Sequence, residues 1–538
     1  MSQLIQGIPN GAAACILAMA LAGCSGTPPE HRRNLILIVV DTLRGDYLSI
    51  YGGPTPTPNL DRLAQMGVRF TRAYSHSPVT GPSHASLFTG LTPFEHGVTI
   101  NTQVLPNKHT TLAEVLNHHG YGTTAFVSLG VLKSRFGFHQ GFDSFDESFD
   151  KNFFRRADEI TDLVLRWLQE PSEAPFFLWI HYSDPHEPYA PPGVVFPTVE
   201  IWMNERYVAT VEANGSRNKL EIELQPGENT LLLSYPRGGS SWDKPMVIRG
   251  LRLWDDGLSI ELGEGWLRTN GPSTHDASQS LEAARLPARL KITNQQQQPV
   301  RTQLSFWCHE RLTSTRLREL YAGETAYVDR QIGRVIEVLQ QKQLLQESVL
   351  IFTSDHGEGL GDHDLSGHIQ QLYDSLIRIP LFLVAPGLVP EGHVLDQPVR
   401  HIDLLPTVLE LLGLETRSAF SGVSLVKAMT GEAPTGTNLP VVSATFRPLA
   451  RFDRRALILE PYKFILTLPS GEEELYNLRQ DPRELINLIT SEPNVADHLR
   501  LALQQEATEF PQSPPTATNR PALTEEERDK LRALGYVN

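Results

Sequence analysis

The chain has 538 residues, 40% of them hydrophobic and 20% charged, and a formal net charge of -15. It is too long for one ordinary domain and too apolar for a disordered chain, so two to four units with a sizeable core are expected. The acidic balance excludes a nucleic-acid binder, because phosphate backbones attract basic faces, but it leaves room for a small anionic substrate held by a local cation.

Residues 11–23, GAAACILAMALAG, form an apolar run that ends at Cys24. A bilayer span needs about 20 residues, so this run has the length of a signal-peptide core instead. Leu21-Ala22-Gly23-Cys24 resembles a bacterial lipobox, although no Lys or Arg precedes the run as it does in most signals. The resemblance implies a lipid on Cys24 and a place in the bacterial cell envelope, on the periplasmic side or at the outer membrane. Membrane contact is expected through that anchor alone. A plain secretory signal or a buried helix is the other reading of the run. Of the three cysteines only Cys308 then remains, which builds no intrachain disulfide and no metal cage and is expected to be a small buried hydrophobe.

Residues 25–33 are a polar tether, and the catalytic unit is expected to start at Asn34. The run 34–41, NLILIVVD, is rich in β-branched residues and suits a strand buried on both faces of a parallel sheet. Similar runs recur at 176–182, 349–353 and 380–385. Helical patterns lie between them at 58–66, 110–119, 156–169 and 317–342. The alternation predicts an α/β unit, a mainly parallel sheet flanked by helices, with ligands beyond the carboxyl ends of the strands. Residues 196–306 break the rhythm with alternating apolar and polar residues between Asn-Gly, Pro-Gly and Gly-Gly turns. They predict an inserted β-sandwich, either a carbohydrate- or polymer-binding module or a structural insert. The α/β unit thus spans 34–195 and 307–440, and residues 441–538 read as a small α+β subdomain with a terminal helix.

Four motifs carry chemistry. Asp41 ends the first buried strand, at the ligand crevice of such a sheet. In Thr80-Gly81-Pro82-Ser83-His84 through Gly90, the proline suits a first helical turn and the glycine a helix end. Thr80 then stands where unpaired N–H groups favour an anion, as a nucleophile or merely as a cap. Ser354-Asp355-His356-Gly357-Glu358 follows another buried strand and suits a carboxylate and imidazole metal site, open to Ca²⁺, Mn²⁺, Zn²⁺ or Mg²⁺. His181-Tyr182-Ser183-Asp184-Pro185-His186 follows a third strand, and His368 lies further on; either imidazole suits substrate binding or proton transfer to a leaving group. Asp362, His363 and His368 are candidates for a second ion.

Together these motifs resemble the sulfatase family of the alkaline phosphatase superfamily. The resemblance covers residues 34–192 and 307–490, through blocks such as VVDTLRGDYLSIYG, TGPSHASLFTGLTPFEHGV, HYSDPHEPYAPP, SDHGEGLGDHDLSGH and DLLPTVLELLG. It implies the fold above, with Asp41, Thr80, Asp355 and His356 as metal ligands and His84, His186 and His368 at the substrate. Two departures matter. Sulfatases carry a Cys or Ser that becomes formylglycine in a Cys-x-Pro-x-Arg motif, whereas here Thr80 and His84 stand at those positions. They also usually carry paired acids after the first strand, where this chain has Asp41-Thr42. The set looks more like that of threonine-dependent phosphotransferases and phosphodiesterases in the superfamily, in which a threonine attacks phosphorus. The expected function is hydrolysis or transfer of phosphate or sulfate esters, on an anionic substrate borne by a glycan or a lipid. A sulfatase working without formylglycine, and a non-catalytic surface lipoprotein binding through the β insert, are the alternatives. Specificity is expected from the loops at 130–155 and from the insert.

Overall fold

The computed structural model describes residues 32–149, 154–170, 175–234, 246–253, 258–262, 266–268, 281–283, 288–310, 312–432, 439–447, 450–508, 521–524 and 527–528. The expected signal segment and Cys24 lie outside them. Among the described residues, no helix is long and apolar enough to cross a membrane.

One eight-stranded sheet organises the catalytic unit. Its strands are β1 (Asn34–Val40), β2 (Val68–Tyr74), β3 (Gly122–Phe126), β4 (Ser144–Asp146), β5 (Phe176–Tyr182), β6 (Ser348–Ser354), β7 (Arg378–Val384) and β8 (His393–Arg400), in the order β8-β2-β7-β6-β1-β5-β3-β4. Only β7 runs antiparallel to its neighbours. The four apolar runs of the sequence are β1, β5, β6 and β7. The other strands are less legible for a physical reason. They lie at or near the edges of the sheet and mix polar with apolar residues, as in GTTAF of β3, where Thr123 and Thr124 are themselves buried. In β8, Pro398 sits at a register shift, where a missing N–H costs least.

Both faces of the sheet are covered, which is why β1 is apolar at every position. Leu35, Leu37 and Val39 point into one core with Trp179 of β5. Ile36, Ile38 and Val40 point into another with Ile180 and Tyr182. The first core is closed by α2 (Thr80–Thr89), α3 (Leu112–His118) and α6 (Leu404–Leu411); the second by α1 (Pro58–Gln65), α4 (Ala157–Trp167) and α5 (Ser314–Gln341).

Among the described residues, three antiparallel sheets lie between β5 and α5, the smallest a two-stranded pair of Trp266–Arg268 with Leu281–Ala283. A five-stranded sheet runs in the order Leu258–Leu262, Ala288–Asn294, Gly227–Ser234, Thr198–Met203, Arg206–Glu212. A three-stranded sheet consists of Met246–Leu253, Val300–Glu310 and Asn214–Leu224. Val199, Leu231 and Leu290 of the first share one core with Ile222, Ile248 and Phe306 of the second. The last strand runs to Glu310, past the boundary expected at 306. Cys308 is buried in this core, where burial pushes its thiol up to about 12.

Residues Val441–Thr445, Asp453–Leu459, Tyr462–Leu468 and Glu472–Asn477 form a four-stranded antiparallel sheet, followed by α7 (Pro493–Thr508). A buried ion network joins it to the catalytic unit. Lys463 Nζ lies 2.7 Å from Asp374 Oδ1 and 2.6 Å from Glu484 Oε1, and the backbone N–H of Asp374 donates to Glu484 at 2.6 Å. Removing one partner of such a group strands the others away from water. Lys463→Met is therefore expected to lower the stability to denaturant by about 3–5 kcal/mol, whereas Lys291→Met, an exposed pair with Glu228, should leave it nearly unchanged.

Candidate active site

β1 and β6 are parallel neighbours in register, Val40 opposite Ser354. The residue after each is an aspartate, so Asp41 and Asp355 emerge side by side at the carboxyl edge of the sheet. Both are fully buried. Burial first, and then the facing Asp355, push the Asp41 carboxyl well above the usual carboxylate range; burial likewise raises Asp355.

The turn after β1 aims Asp41. Thr42 has φ 55°, a left-handed conformation strained for a β-branched residue by about 1–3 kcal/mol. Three hydrogen bonds hold it there. Its hydroxyl donates to Asp41 O at 2.7 Å, its N–H donates to Asp355 Oδ1 at 3.1 Å, and its carbonyl accepts from the Tyr321 hydroxyl at 2.7 Å. Tyr321, from α5, also accepts from the N–H of Arg44 at 2.7 Å. Ser354 fastens the second turn, accepting from Leu43 N and donating to His356 O.

His356 donates from Nδ1 to the carbonyl of Gly357 at 2.9 Å, which leaves Nε2 as a lone pair. Burial pushes this imidazole down to about 3, so it is neutral. Helix α2 brings in Thr80 as its first residue, and Gly90, at φ 66°, ends the helix in the left-handed region that glycine permits. Thr80 Oγ1 lies 3.4 Å from Asp41 Oδ2 and 3.5 Å from His356 Nε2; Asp355 Oδ2 lies 3.4 Å from the same Nε2.

These atoms fit a divalent cation. Among the described residues, Asp41, Asp355 and His356 are the one set of three or more His, Cys, Asp or Glu groups whose ligand atoms all lie within 4.8 Å of one another. Asp41 Oδ1 and Asp355 Oδ2 are buried and have no hydrogen-bond partner. A four-coordinate ion with arms of about 2.0–2.2 Å separates its ligands by about 3.3–3.6 Å, the spacing that Thr80 Oγ1 keeps from Asp41 Oδ2 and from His356 Nε2, and Asp355 Oδ2 from His356 Nε2. The candidates for a second ion do not gather. Asp362 is paired with Arg44 and Arg318, and His363 Nε2 lies 3.1 Å from the carbonyl of Arg483.

The other expected histidines take different places. His84 is fully buried; its Nδ1 donates to Thr80 O at 2.9 Å, and its ring packs against Trp179 and His181. It therefore braces Thr80 from beneath. His368 Nδ1 lies 3.3 Å from Glu358 Oε2, and its ring stands 4.6 Å from that of His356. His186 continues the row, 5.2 Å from His368, with Nδ1 donating to Glu187 O at 2.6 Å. The two rings form one wall of the site.

Several site residues escape motif reading. Asn101 Oδ1 accepts from Gly81 N at 2.7 Å, while its Nδ2 is buried without a hydrogen-bond partner beside the start of α2. A side chain at residue 81 would meet that Oδ1 at 2.9 Å, so Gly81 is needed for the contact. His181, already named in its motif, has Nε2 3.8 Å from Asp41 Oδ2 and Nδ1 2.8 Å from Ser128 Oγ. Tyr321 sits in an ordinary helical pattern, and its bonds to the Asp41 turn span hundreds of residues, so no local signal marks it. Glu358 is named in its motif, but only its burial beside His368 gives it a role.

A buried dicarboxylate–imidazole cage with a hydroxyl at a helix start, on a mainly parallel sheet, defines an ester hydrolase of the alkaline phosphatase superfamily. The chain belongs to the sulfatase family: the Sulfatase model matches residues 33–414, and the model of the N-sulphoglucosamine sulphohydrolase C-terminal region matches residues 367–510. The chain is 25% identical over 507 residues to the N-acetylglucosamine-6-O-sulfatase of Bacteroides thetaiotaomicron, covering 88% of this chain and 86% of that protein. It is 27% identical over 442 residues to the multifunctional alkaline phosphatase superfamily protein PehA of Trinickia caryophylli, covering 75% and 78%. The fold is shared with the phosphonate monoester hydrolase of Agrobacterium radiobacter, with a TM-score of 0.61 at 21% identity, covering 92% of this chain and 99% of that one. Enzymes of this family depend on a metal.

Elemental analysis of the purified protein is expected to give about one divalent ion per chain. Asp355→Asn and His356→Ala should each lose it, whereas Asp362→Asn should keep it; retention by both of the first two variants would dismantle the cage.

Proposed function

We propose that this enzyme cleaves phosphate esters through Thr80 as nucleophile, with phosphorus preferred to sulfur. The observation that carries the reading is the Thr80 hydroxyl, held within 3.5 Å of both Asp41 and His356 at the start of α2. Threonine is a secondary alcohol, so its oxidation yields a ketone and never the aldehyde of formylglycine. An aldehyde hydrate expels sulfate by collapsing to the aldehyde. A threonine ester has no such exit and must be opened by attack at its central atom, a route that phosphorus readily allows.

Asp41, Asp355, His356 and the Thr80 oxygen hold the cation in this reading, and the bound ion supplies the positive charge that acidifies the hydroxyl and polarises the ester. The imidazole ligand and the four-atom cage favour Zn²⁺ or Mn²⁺ over Ca²⁺, which takes about 6–8 oxygens. His84 fixes the first turn of α2, so that Thr80 meets the ester in one orientation. Asn101 offers its unpartnered N–H to a non-bridging oxygen, and the start of α2 adds its dipole. His186 and His368 line the side from which a leaving group departs, where a neutral imidazole hydrogen-bonds its oxygen.

The glycan sulfatase among the relatives favours one further element, a substrate group borne on a glycan, met by the loops at 130–155 and by the β insert. A sulfatase without formylglycine remains the second reading, favoured by that same relative.

Thr80→Ala is expected to lower turnover of an aryl phosphate ester by at least about a thousandfold, the scale of losing a nucleophile. Substrate binding should stay within about tenfold, because Asp41, Asp355, His356 and the histidine wall remain. Turnover near the parent rate in that variant would refute the nucleophile.

A further inference from the structure

Three β-branched residues among those described have a left-handed backbone: Thr42 at φ 55°, Thr102 at φ 72° and Ile369 at φ 85°. A β-branched side chain is strained there, because its Cβ crowds the following carbonyl oxygen. Each of the three directly follows a residue of the site, Asp41, Asn101 or His368. Strain beside a site persists only where the surroundings hold it, so each of these torsions must have a holder. For Thr42 the holders are Asp355 and Tyr321.

For Ile369 the hold comes from the C-terminal sheet. Thr445 is fully buried and donates its hydroxyl to the carbonyl of Ile369. Arg454 donates from its guanidinium to the next carbonyl, that of Gln370. Thr445 and Arg454 stand directly opposite one another on the adjacent antiparallel strands Val441–Thr445 and Asp453–Leu459. One residue from each strand thus takes one of two successive carbonyls. The N–H of Arg451 adds a third bond, to Gln370 Oε1 at 2.9 Å. On the other side of His368 the chain is pinned within its own loop. Gly359 N donates to Gly367 O at 3.1 Å, and Gly367 N to Gly359 O at 3.0 Å.

We propose that Thr445 and Arg454 are positioning residues for the reaction: they hold Ile369 in its strained torsion and thereby keep the His368 ring where it meets the leaving-group oxygen. The proposal rests on the reading of His368 as a leaving-group contact. Without the two bonds, Ile369 relaxes toward the ordinary extended region by a large rotation about its N–Cα bond, right beside His368. The wall leaves little room for such a shift. His368 Nδ1 lies 3.3 Å from Glu358 Oε2, and its ring lies 4.6 Å from that of His356 and 5.2 Å from that of His186. A displacement of about 1 Å in a group of this kind costs up to about a hundredfold in rate. The C-terminal sheet in this account works on the site through the backbone of residues 369 and 370.

The test reads leaving-group dependence on the purified metal-loaded enzyme. The substrates are the p-nitrophenyl and phenyl esters of phosphate, or of sulfate where the parent enzyme prefers it, so the outcome does not depend on the central atom. p-Nitrophenolate departs well unaided. Phenol, with a hydroxyl like that of tyrosine and a pKa of about 10, needs a hydrogen bond to its oxygen. Thr445→Val keeps the shape and removes the hydroxyl. It is expected to lower kcat/KM for the phenyl ester at least about tenfold more than for the p-nitrophenyl ester. Thr445→Ser, which keeps the hydroxyl, should restore the parent ratio. Arg454→Met should repeat the shift from the neighbouring strand, and it covers the case in which Thr445→Val does not fold. Equal losses on both esters in the two variants would reduce the pair to structural support and overturn the proposal. His368→Ala separates the readings. A ratio unmoved in that variant would overturn the leaving-group role of His368 and the proposal with it. A ratio that moves there but in neither of the other variants would overturn the proposal alone.

Discussion

Two aspartates that end adjacent parallel strands, Asp41 and Asp355, face one another out of contact with water. Everything around the site follows from that juxtaposition. Two buried carboxylates cost several kcal/mol each to desolvate and repel one another, so the arrangement persists only with a cation between them or with a proton on one. The protein meets part of the demand itself. N–H groups of Thr42 and His356 point at Asp355 Oδ1, and the Thr80 hydroxyl points at Asp41 Oδ2. The two remaining oxygens have no partner in the chain. Unsatisfied acceptors of this kind, with a neutral imidazole beside them, are the imprint of a divalent ion.

Holding that imprint explains features that look local but are not. The left-handed Thr42 turn is unfavourable in isolation and is held by Tyr321 from α5 and by Asp355 from β6. Helix α2 is buried along its whole length, which locks Thr80 against the cage and places His84 under it. Arg44 and Arg318 clamp Asp362 and the carbonyls of Glu358 and Leu360, fixing the loop that carries Glu358 toward the His368 wall. The C-terminal sheet is tied to residue 374 through the buried Lys463, a short distance along the chain from His368.

The sequence shows most of the frame and only part of the site. β1, β5, β6 and β7 were legible because burial on both faces demands unbroken apolar runs, whereas β8 carries the polar residues that an edge tolerates and β3 buries Thr123 through hydrogen bonds to the loop before β4. Asp41, Asp355 and His356 were legible because strand ends and ligand chemistry coincide within a few residues. Asn101 and Tyr321 were not, since each acts through a hydrogen bond to a distant segment and neither residue type signals its role. His84 does more than its place in the motif announces: its buried ring holds the Thr80 carbonyl through Nδ1 and keeps Nε2 without a hydrogen-bond partner. The second ion was plausible from a run of histidines and acids, but arginines on other elements claim Asp362.

Thr80 is the residue on which the chemistry turns. Rapid quenching of the metal-loaded enzyme during turnover of an aryl phosphate ester, followed by mass spectrometry of the peptide that contains residue 80, tests it most directly. A phosphoryl adduct on Thr80 is the expected result. An unmodified Thr80 during turnover, or an adduct confined to another residue, would contradict it.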